Sequence, residues 1–468
     1  MSGATLLTII MGMATNKVIA VYAGTEGIGL VGLFRNFLGF VVPVLTAGTT
    51  TVIVQMISTS SSSEEVSRII SSVFNLFIFQ IIIAVIAAIF LSDYISVWLF
   101  SGSGRSAGNY TNEVRIIFAM ALAVLFSQSM ISIINGKVNI KIVTLINVVT
   151  ASLTLIMVYP LIMLGKIGFA FIVGSGSIGG AILGFFYVKK EYKHELSKFR
   201  VSWSAIKDFT SLPISFWLLI HPLIISATFL NIQVMVNRYY GLDGLGIYAA
   251  IVMLETTTIM LLMAAMKTYY LPTLGQLSTQ IEKNEFINKV LSLLIIAVFP
   301  FIIVMIFAAK YILWLLFSED FQSGANILGM QSLAMLAQIF SWCYAMYFLH
   351  ESRYRLYFIV DSVWAIFLIS TIWYVASNDY PLVMVSFVYF LGSLFSLFMY
   401  VFLARRLYGK SMLNRRNSIL GLAALSIIIF AYYISQEGNV SSQLAFILFL
   451  SISFIYFIVL NYKKLIRL

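Results

Sequence analysis

Long apolar stretches alternate with short polar ones along the whole chain. A stretch of about 20 apolar residues is long enough to cross the hydrocarbon core of a membrane as a helix. Fourteen such spans can be drawn within the 468 residues. They are 4–22, 28–54, 69–91, 115–134, 142–163, 167–188, 212–236, 245–266, 290–316, 324–349, 356–376, 380–402, 418–434 and 443–461. The pattern predicts an all-α integral membrane protein that has no large soluble domain.

The composition excludes a soluble protein. Hydrophobic residues make up 61% of the chain and charged residues only 10%, whereas soluble domains carry about 25% charged residues. Cys343 is the single cysteine and lies in an apolar stretch, so an internal disulfide is excluded. We expect no metal site, no cofactor and no redox chemistry.

The basic residues predict the orientation of the chain in the membrane. Of the 29 Lys and Arg residues, 22 fall in loops on the same side as the amino terminus and 3 in loops on the other side. This bias places both termini in the cytoplasm. It also accounts for the net charge of +11 without a nucleic-acid partner. The basic segments 189–200 and 404–416 are expected to contact anionic lipid headgroups.

An internal repeat divides the chain. The turn A-G-T-E-G-I-G (23–29) recurs as Y-G-L-D-G-L-G (240–246) at an offset of 217 residues, and each copy joins the first two spans of a six-span unit. The repeat predicts two parallel six-helix bundles, 1–188 and 212–404. A cytoplasmic linker, 189–211, connects them. The segment 405–468 then adds a basic loop and two further transmembrane helices.

Two glycine-containing motifs resemble nucleotide-binding sequences only superficially. G-S-G-S-I-G (174–179) lies inside a membrane span, without the strand that a dinucleotide site requires. Its glycines are better interpreted as a surface for close helix packing. A-R-R-L-Y-G-K-S (404–411) lacks the first glycine of a phosphate-binding loop. We therefore expect no ATP binding.

Two cations lie inside the membrane in the first half. An ionisable side chain at the centre of a membrane helix costs about 3 kcal/mol or more, so it is a functional candidate. Lys17 and Arg35 lie about 8 Å and about 10 Å below the outer interface on adjacent helices, and Asn36 follows Arg35. Either a long side chain extends outward to Glu26, or the pair lines a water-filled cavity that attracts anions.

The second half lacks this pair, because Val234 and Val252 stand at the corresponding positions. It offers Asn231 and Arg238 instead, which we include among the candidate substrate-binding residues together with Lys17, Arg35 and Asn36. This choice predicts a substrate site that is shared between the two halves.

Glu255 and His221 are the candidates for coupling or gating. Glu255 lies about 15 Å into its span, near the middle of the bilayer. It could pair with Lys17 or Arg35, bind a proton or cation, or be a neutral hydrogen-bonded acid. His221 is either a relay or a packed residue. Asp361 lies near the inner face, where we expect it to pair with Arg353 or Arg355.

The first hairpin resembles that of Wzx-type O-antigen and polysaccharide flippases of the multidrug/oligosaccharidyl-lipid/polysaccharide (MOP) exporter superfamily. In that family a basic residue in helix 1 precedes a Gly-x-x-Gly-x-Gly-Leu turn and an Arg that follows Phe in helix 2. The matching positions here are Lys17, Gly24, Gly27, Gly29, Leu30, Phe34 and Arg35. The six-plus-six organisation extends the resemblance over about residues 1–404.

The resemblance implies a bacterial inner-membrane protein that translocates an undecaprenyl-pyrophosphate-linked oligosaccharide by alternating access, without enzymatic chemistry. A polysaccharide polymerase and a chain-length regulator are the implied protein partners. The two additional spans depart from the usual twelve and resemble the lipid II flippase branch. A cation-coupled multidrug antiporter and an integral-membrane polysaccharide polymerase are the alternatives.

The predicted topology can be tested by thiol labelling in a Cys343→Ser background. The positive-inside rule places residues 190, 406 and 464 inside and residues 26, 103 and 437 outside. Single cysteines at the outside positions should react with an impermeant reagent in intact cells, and the others only after permeabilisation. Labelling at 464 but not at 437 would reverse the orientation of the last helices.

Overall fold

A computed structural model describes residues 3–46, 48–101, 109–192, 216–409 and 415–436. Within these residues the regular structure is entirely helical. The helices are α1 (Gly3–Thr46), α2 (Thr49–Thr59), α3 (Ser63–Phe90), α4 (Ser92–Phe100), α5 (Thr111–Gly136), α6 (Ile140–Ile162), α7 (Lys166–Ile172), α8 (Ser175–Glu191), α9 (Phe216–Gln276), α10 (Gln280–Phe307), α11 (Ala309–Leu316), a 3₁₀ helix (Glu319–Gly324), α12 (Ala325–His350), α13 (Tyr354–Ser377), α14 (Val383–Tyr408) and α15 (Arg415–Gln436). Eleven helical stretches of the described residues are long and apolar enough to cross a membrane. The predicted all-α, multi-pass membrane protein is confirmed.

The two longest helical segments are hairpins. Straight, the 44 residues of α1 would extend about 66 Å, about twice the hydrocarbon core. The chain instead reverses at Gly24, where φ is 63°. As a result, Asn16 Oδ1 and Arg35 Nη2, on opposite arms, lie 3.5 Å apart. The same reversal occurs in α9 at Gly241, where φ is 73°. Each hairpin thus supplies two of the predicted spans.

Three predicted spans are interrupted. The span 28–54 breaks beside Gly48, whose left-handed backbone (φ 77°) begins α2. The span 167–188 divides between α7 and α8, and the span 290–316 divides at Ala308. Hydropathy averages over such breaks, so the sequence did not reveal them. The last predicted span, 443–461, and most of the predicted linker 189–211 lie outside the described residues.

The two reversals pack against each other with the symmetry of the repeat. A Cβ added at Gly29 would lie 2.6 Å from the Leu242 carbonyl oxygen. Reciprocally, a Cβ added at Gly246 would collide with the carbonyl oxygen of Thr25. Gly29 and Gly246, like Thr25 and Leu242, are 217 residues apart, so the contacts are related by a pseudo-two-fold axis. The axis passes between Gly32 and Ala249, which face each other at the same offset.

Further polar contacts join the two repeats at this end, which the predicted topology places outside and which we call the outer end. The Thr25 hydroxyl donates to the Asp243 carboxylate. The Asn237 amide donates to the Leu99 carbonyl oxygen at 3.0 Å. The α1 and α9 hairpins therefore form the main contact between the helices that precede residue 192 and those that follow residue 216.

The glycines of 174–184 pack closely against neighbouring helices, as the sequence predicts. A Cβ at Gly180 would lie 2.5 Å from Thr150 Oγ1 and 2.8 Å from Ser127 Oγ. A Cβ at Gly184 would lie 2.7 Å from the Cβ of Met130. Without side chains at these positions, α8 approaches α5 and α6 closely.

The helix α15 is fixed to α10 by buried amides. Asn417 is 1% exposed, and its Nδ2 donates to the Asn288 carbonyl oxygen at 2.6 Å. Ser292 Oγ donates to Asn417 Oδ1 at 2.7 Å. The predicted thirteenth span is therefore attached to α10.

The reciprocal glycine contact predicts a stability difference between two glycine variants. Gly246→Ala forces the two reversals apart, and overpacking of this kind costs about 1–3 kcal/mol. We expect a clearly lower Tm of the purified protein in detergent. Gly39→Ala is the matched control, because a Cβ there meets nothing within 4 Å. Equal Tm values for the two variants would contradict the described packing.

Candidate functional site

Two cavities flank the pseudo-two-fold axis between the α1 and α9 hairpins. The Asn16 cavity, of about 310 Å³, is lined by Gly12, Thr15 and Asn16 from the first arm of α1 and by residues of α6 and α9. The Gln233 cavity, of about 230 Å³, is lined by Phe229, Ile232 and Gln233 from the first arm of α9 and by residues of the second arm of each hairpin. The three residues of each set are 217 apart. The cavities are therefore related by the repeat, but different side chains line them.

Arg35 lies between the two cavities and lines both, as does Met253. The Arg35 guanidinium contacts Asn16 Oδ1 at 3.5 Å and Met253 Sδ at 3.9 Å. No carboxylate of the described residues lies within 4 Å of it. The corresponding residue in the other repeat is Val252, which brings no charge. The site thus holds a cation whose contacts are neutral.

Asn16 holds Arg35 in place without neutralising it. Asn16 is 8% exposed, and its Nδ2 contacts Met253 Sδ at 2.6 Å while its Oδ1 accepts from Arg35. Because an amide carbonyl carries only a partial charge, the guanidinium keeps its full positive charge toward the cavities.

Lys17 does not line either cavity. Its Nζ donates to the Trp314 carbonyl oxygen at 2.9 Å. Trp314 belongs to the last turn of α11, where carbonyl groups lack partners within the helix and a cation is favoured. The structure therefore separates the predicted pair: Arg35 faces the cavities, while Lys17 links α1 to α11.

The other predicted substrate ligands are spread over three places. Asn36 lines the Gln233 cavity, and its Nδ2 donates to the Gly32 carbonyl oxygen at 3.1 Å. Asn231 donates within its own helix, to the Ala227 carbonyl oxygen at 2.8 Å. Arg238 lies near the outer end, where its Nε donates to the Ser101 carbonyl oxygen at 2.9 Å. The structure therefore brings Arg35 and Asn36 together, but neither Asn231 nor Arg238 joins them.

Glu255 is buried between α9 and α12. It is 3% exposed and accepts hydrogen bonds from Gln331 Nε2 at 2.7 Å and Gln338 Nε2 at 2.8 Å. The sequence-based alternative in which Glu255 pairs with Lys17 or Arg35 is wrong. The side chain points to α12, while its neighbours Leu254 and Thr256 line the cavities.

His221 has a carboxylate partner that the sequence analysis assigned elsewhere. Its Nε2 lies 2.6 Å from Asp361 Oδ2, and the Tyr400 hydroxyl donates to Asp361 Oδ1 at 2.8 Å. The expected pairing of Asp361 with Arg353 or Arg355 is wrong. Asp361 lies about two turns into α13, where its side chain reaches α9 and α14 instead. This cluster joins three helices near the end opposite the two reversals.

Asn16, Gln233 and Met253 were missed as site residues. Asn16 directly precedes Lys17 in the sequence, but a single amide beside a charged residue gives only a weak signal. Gln233 corresponds to Asn16 in the repeat, and the offset of 217 residues would have identified it. Met253 carries no sequence signal, because apolar residues surround it.

The fold is that of a multi-pass membrane protein, and the sequence comparison gives its family. Residues 1–278, more than half of the chain, match the family described as "Polysaccharide biosynthesis protein". The chain therefore belongs to that family. A search of curated protein sequences finds no match.

Solved structures give the fold. The lipid II flippase MurJ in an inward closed conformation is similar with a TM-score of 0.75, 16% identity and 99% of each chain covered. An inward-facing multidrug resistance MATE family transporter has a TM-score of 0.70 and 15% identity, over 90% of this chain and 96% of that one. A MOP superfamily transporter from Pyrococcus furiosus has a TM-score of 0.54 and 15% identity, over 89% and 93%. The chain thus has the MOP superfamily fold.

Proposed function

We propose that the protein is a flippase that moves an undecaprenyl-pyrophosphate-linked oligosaccharide across the cytoplasmic membrane of a bacterium. The observation that carries this proposal is Arg35, a guanidinium without a carboxylate partner among the described residues, at the junction of two cavities between the hairpins. The family match and the lipid II flippase in the comparison support it.

The chemistry of Arg35 suits a pyrophosphate. A charge in a membrane interior is costly unless a counter-ion or water accompanies it. A bound pyrophosphate supplies that counter-ion, and the planar guanidinium can donate two parallel hydrogen bonds to phosphate oxygens. The apolar prenyl chain has no need to leave the bilayer. Only the charged headgroup and the glycan then require a path through the protein.

In this mechanism Lys17 changes its partner when the protein changes from the inward-facing to the outward-facing state. The contacts of Lys17 with Trp314, of Thr25 with Asp243 and of Arg238 with Ser101 all join the two bundles at the outer half. Outward opening has to break them. Lys17 Nζ, once released from the Trp314 carbonyl, becomes a second donor for the pyrophosphate.

Glu255 is the proposed coupling carboxyl, and His221 belongs to the inner gate. Among the described residues, two amides and no cation contact Glu255, so gain or loss of its charge changes the packing between α9 and α12. His221 and Asp361 join α9 to α13 near the inner end. A movement that opens the inner end changes their separation.

Cation-coupled multidrug export is the second candidate, because a buried carboxyl such as Glu255 is also what an antiporter needs and the MATE transporter shares the fold. The two functions differ in phenotype. A deletion strain that loses surface polysaccharide and keeps its drug resistance supports the flippase. The opposite result supports the antiporter.

The role of Arg35 can be measured as export of surface polysaccharide at matched membrane protein levels. Arg35→Ala removes the charge and should reduce export by at least about tenfold, because a charge-assisted hydrogen bond contributes about 1.5–3 kcal/mol. Arg35→Lys keeps the charge but loses the planar fork, so we expect an intermediate loss. Lys17→Ala should also impair export.

Asn16→Asp tests the same idea without touching Arg35. A carboxylate at 3.5 Å would pair with the guanidinium and cancel its attraction for an anion. We expect export to fall to the level of Arg35→Ala. Asn16→Ala is the matched control, because it removes the contact but leaves the charge unpaired. Normal export by Arg35→Ala, or equal export by the two Asn16 variants, would contradict the proposal.

Glu255→Gln tests coupling. The amide keeps the shape of the carboxyl group, and Gln331, whose Oε1 is buried without a hydrogen-bond partner among the described residues, can turn its own amide to accept from it. Folding should therefore survive while ionisation is lost, and we expect export to fall severalfold. Glu113→Gln, at a buried carboxyl of α5, serves as the control. Wild-type export by Glu255→Gln would make Glu255 a structural residue.

A further inference from the structure

The Gln233 cavity has a lining that the pyrophosphate proposal does not use. Besides Arg35, its polar residues are Asn36, Gln233, Tyr248 and Thr256. All four are uncharged, and together they offer amide and hydroxyl donors and acceptors. Among the described residues that line the cavity, Arg35 alone is charged, so this lining provides a single phosphate ligand and otherwise neutral hydrogen-bonding groups.

Gln233 is unusual within this lining. It is 4% exposed, and its Oε1 is buried without a hydrogen-bond partner among the described residues. Leaving a buried polar group unpaired costs about 1–3 kcal/mol, so such groups call for an explanation. Its counterpart Asn16 has two partners, Met253 and Arg35. The repeat therefore has one amide with both ends engaged within the protein and one whose oxygen has no hydrogen-bond partner among the described residues.

We infer that the Gln233 cavity binds the sugar that is attached directly to the pyrophosphate. The inference rests on the proposed function, because it takes Arg35 as the pyrophosphate ligand. Since Arg35 lines both cavities, a group attached to a phosphate at Arg35 reaches the Gln233 cavity without a gap. The volume of about 230 Å³ holds several water molecules, so the cavity has room for a sugar ring.

The chemistry of a sugar fits this cavity better than a second phosphate does. Sugar hydroxyls both donate and accept, so they pair with the amide of Gln233 in either orientation and with the Thr256 and Tyr248 hydroxyls. Phe229 and Ile232 add apolar surface for the carbon face of the ring. A phosphate group inside this cavity, in addition to the pyrophosphate at Arg35, would need a second cation. Gln233 is therefore a specificity residue for the first sugar.

Binding of defined lipids to the purified protein in nanodiscs tests this assignment. The probes are undecaprenyl pyrophosphate and its derivatives that carry one N-acetylglucosamine, galactose or glucose. We expect the wild type to bind the best sugar-bearing lipid at least about tenfold more tightly than the bare lipid, a difference of about 1.4 kcal/mol. Gln233→Leu should abolish this preference and keep the affinity for the bare lipid within about threefold. Arg35→Ala should weaken the binding of both.

Controls separate the subsite from the fold and from the proposed function. Thr154→Val alters the Asn16 cavity and should keep the sugar preference. Gln233→Asn, which has a shorter amide side chain, should lose part of the sugar preference. It also provides a second test if the Gln233→Leu variant does not fold. A wild type without a sugar preference, or a Gln233→Leu variant that keeps it, would overturn the subsite alone. A wild type that binds neither lipid would overturn the flippase proposal and the subsite with it.

Discussion

Close backbone contact between the two hairpins is the constraint on which the rest of the structure depends. Gly29 and Gly246 let each reversal touch the carbonyl of the other, at Leu242 and Thr25. Below this contact the second arms meet at Gly32 and Ala249, and the two cavities open on either side. A larger residue at either glycine would separate the hairpins and change the place where Arg35 lies.

The repeat supplies a symmetric scaffold, and substitutions within it make the site asymmetric. Arg35 corresponds to Val252, and Thr15 corresponds to Ile232. The symmetry brings equivalent backbone positions to the axis. The different side chains at these positions place one cation between two cavities of different polarity. In the proposed flippase, the symmetric hairpins rock against each other about their shared contact, and the asymmetric side chains bind the charged headgroup on one face. Such a division suits a transporter whose cargo has a charged part, a polar part and an apolar part.

The helices, the repeated turns and the position of a cation, Arg35, inside the membrane could be predicted from the sequence, because each depends on local information. The length of an apolar stretch defines a span, and the repeated glycine turns mark the reversals at Gly24 and Gly241. A charge within an apolar stretch is equally easy to recognise. The pairing of Lys17 with Arg35 was not confirmed as one site. The rotation of each helix about its axis directs Lys17 toward Trp314 and Arg35 toward Asn16. An amphipathic pattern would reveal this rotation in the sequence, but the pattern is weak in helices that are apolar on every face.

Partners distant in the sequence were the least predictable. Asp361 lies 140 residues from His221, and its nearest charges in sequence, Arg353 and Arg355, suggested the wrong pair. The amides that hold Glu255 belong to α12, and nothing in the spacing of Gln331 or Gln338 indicates a carboxylate. Such contacts depend on which helix faces the side chain across the bundle, which hydropathy does not encode.

An experimental structure with undecaprenyl pyrophosphate bound tests the central claim most directly. The account predicts that phosphate oxygens lie within hydrogen-bonding distance of the Arg35 guanidinium, between the Asn16 cavity and the Gln233 cavity. Pyrophosphate density at another place, with Arg35 still in contact only with Asn16 and Met253, would contradict it.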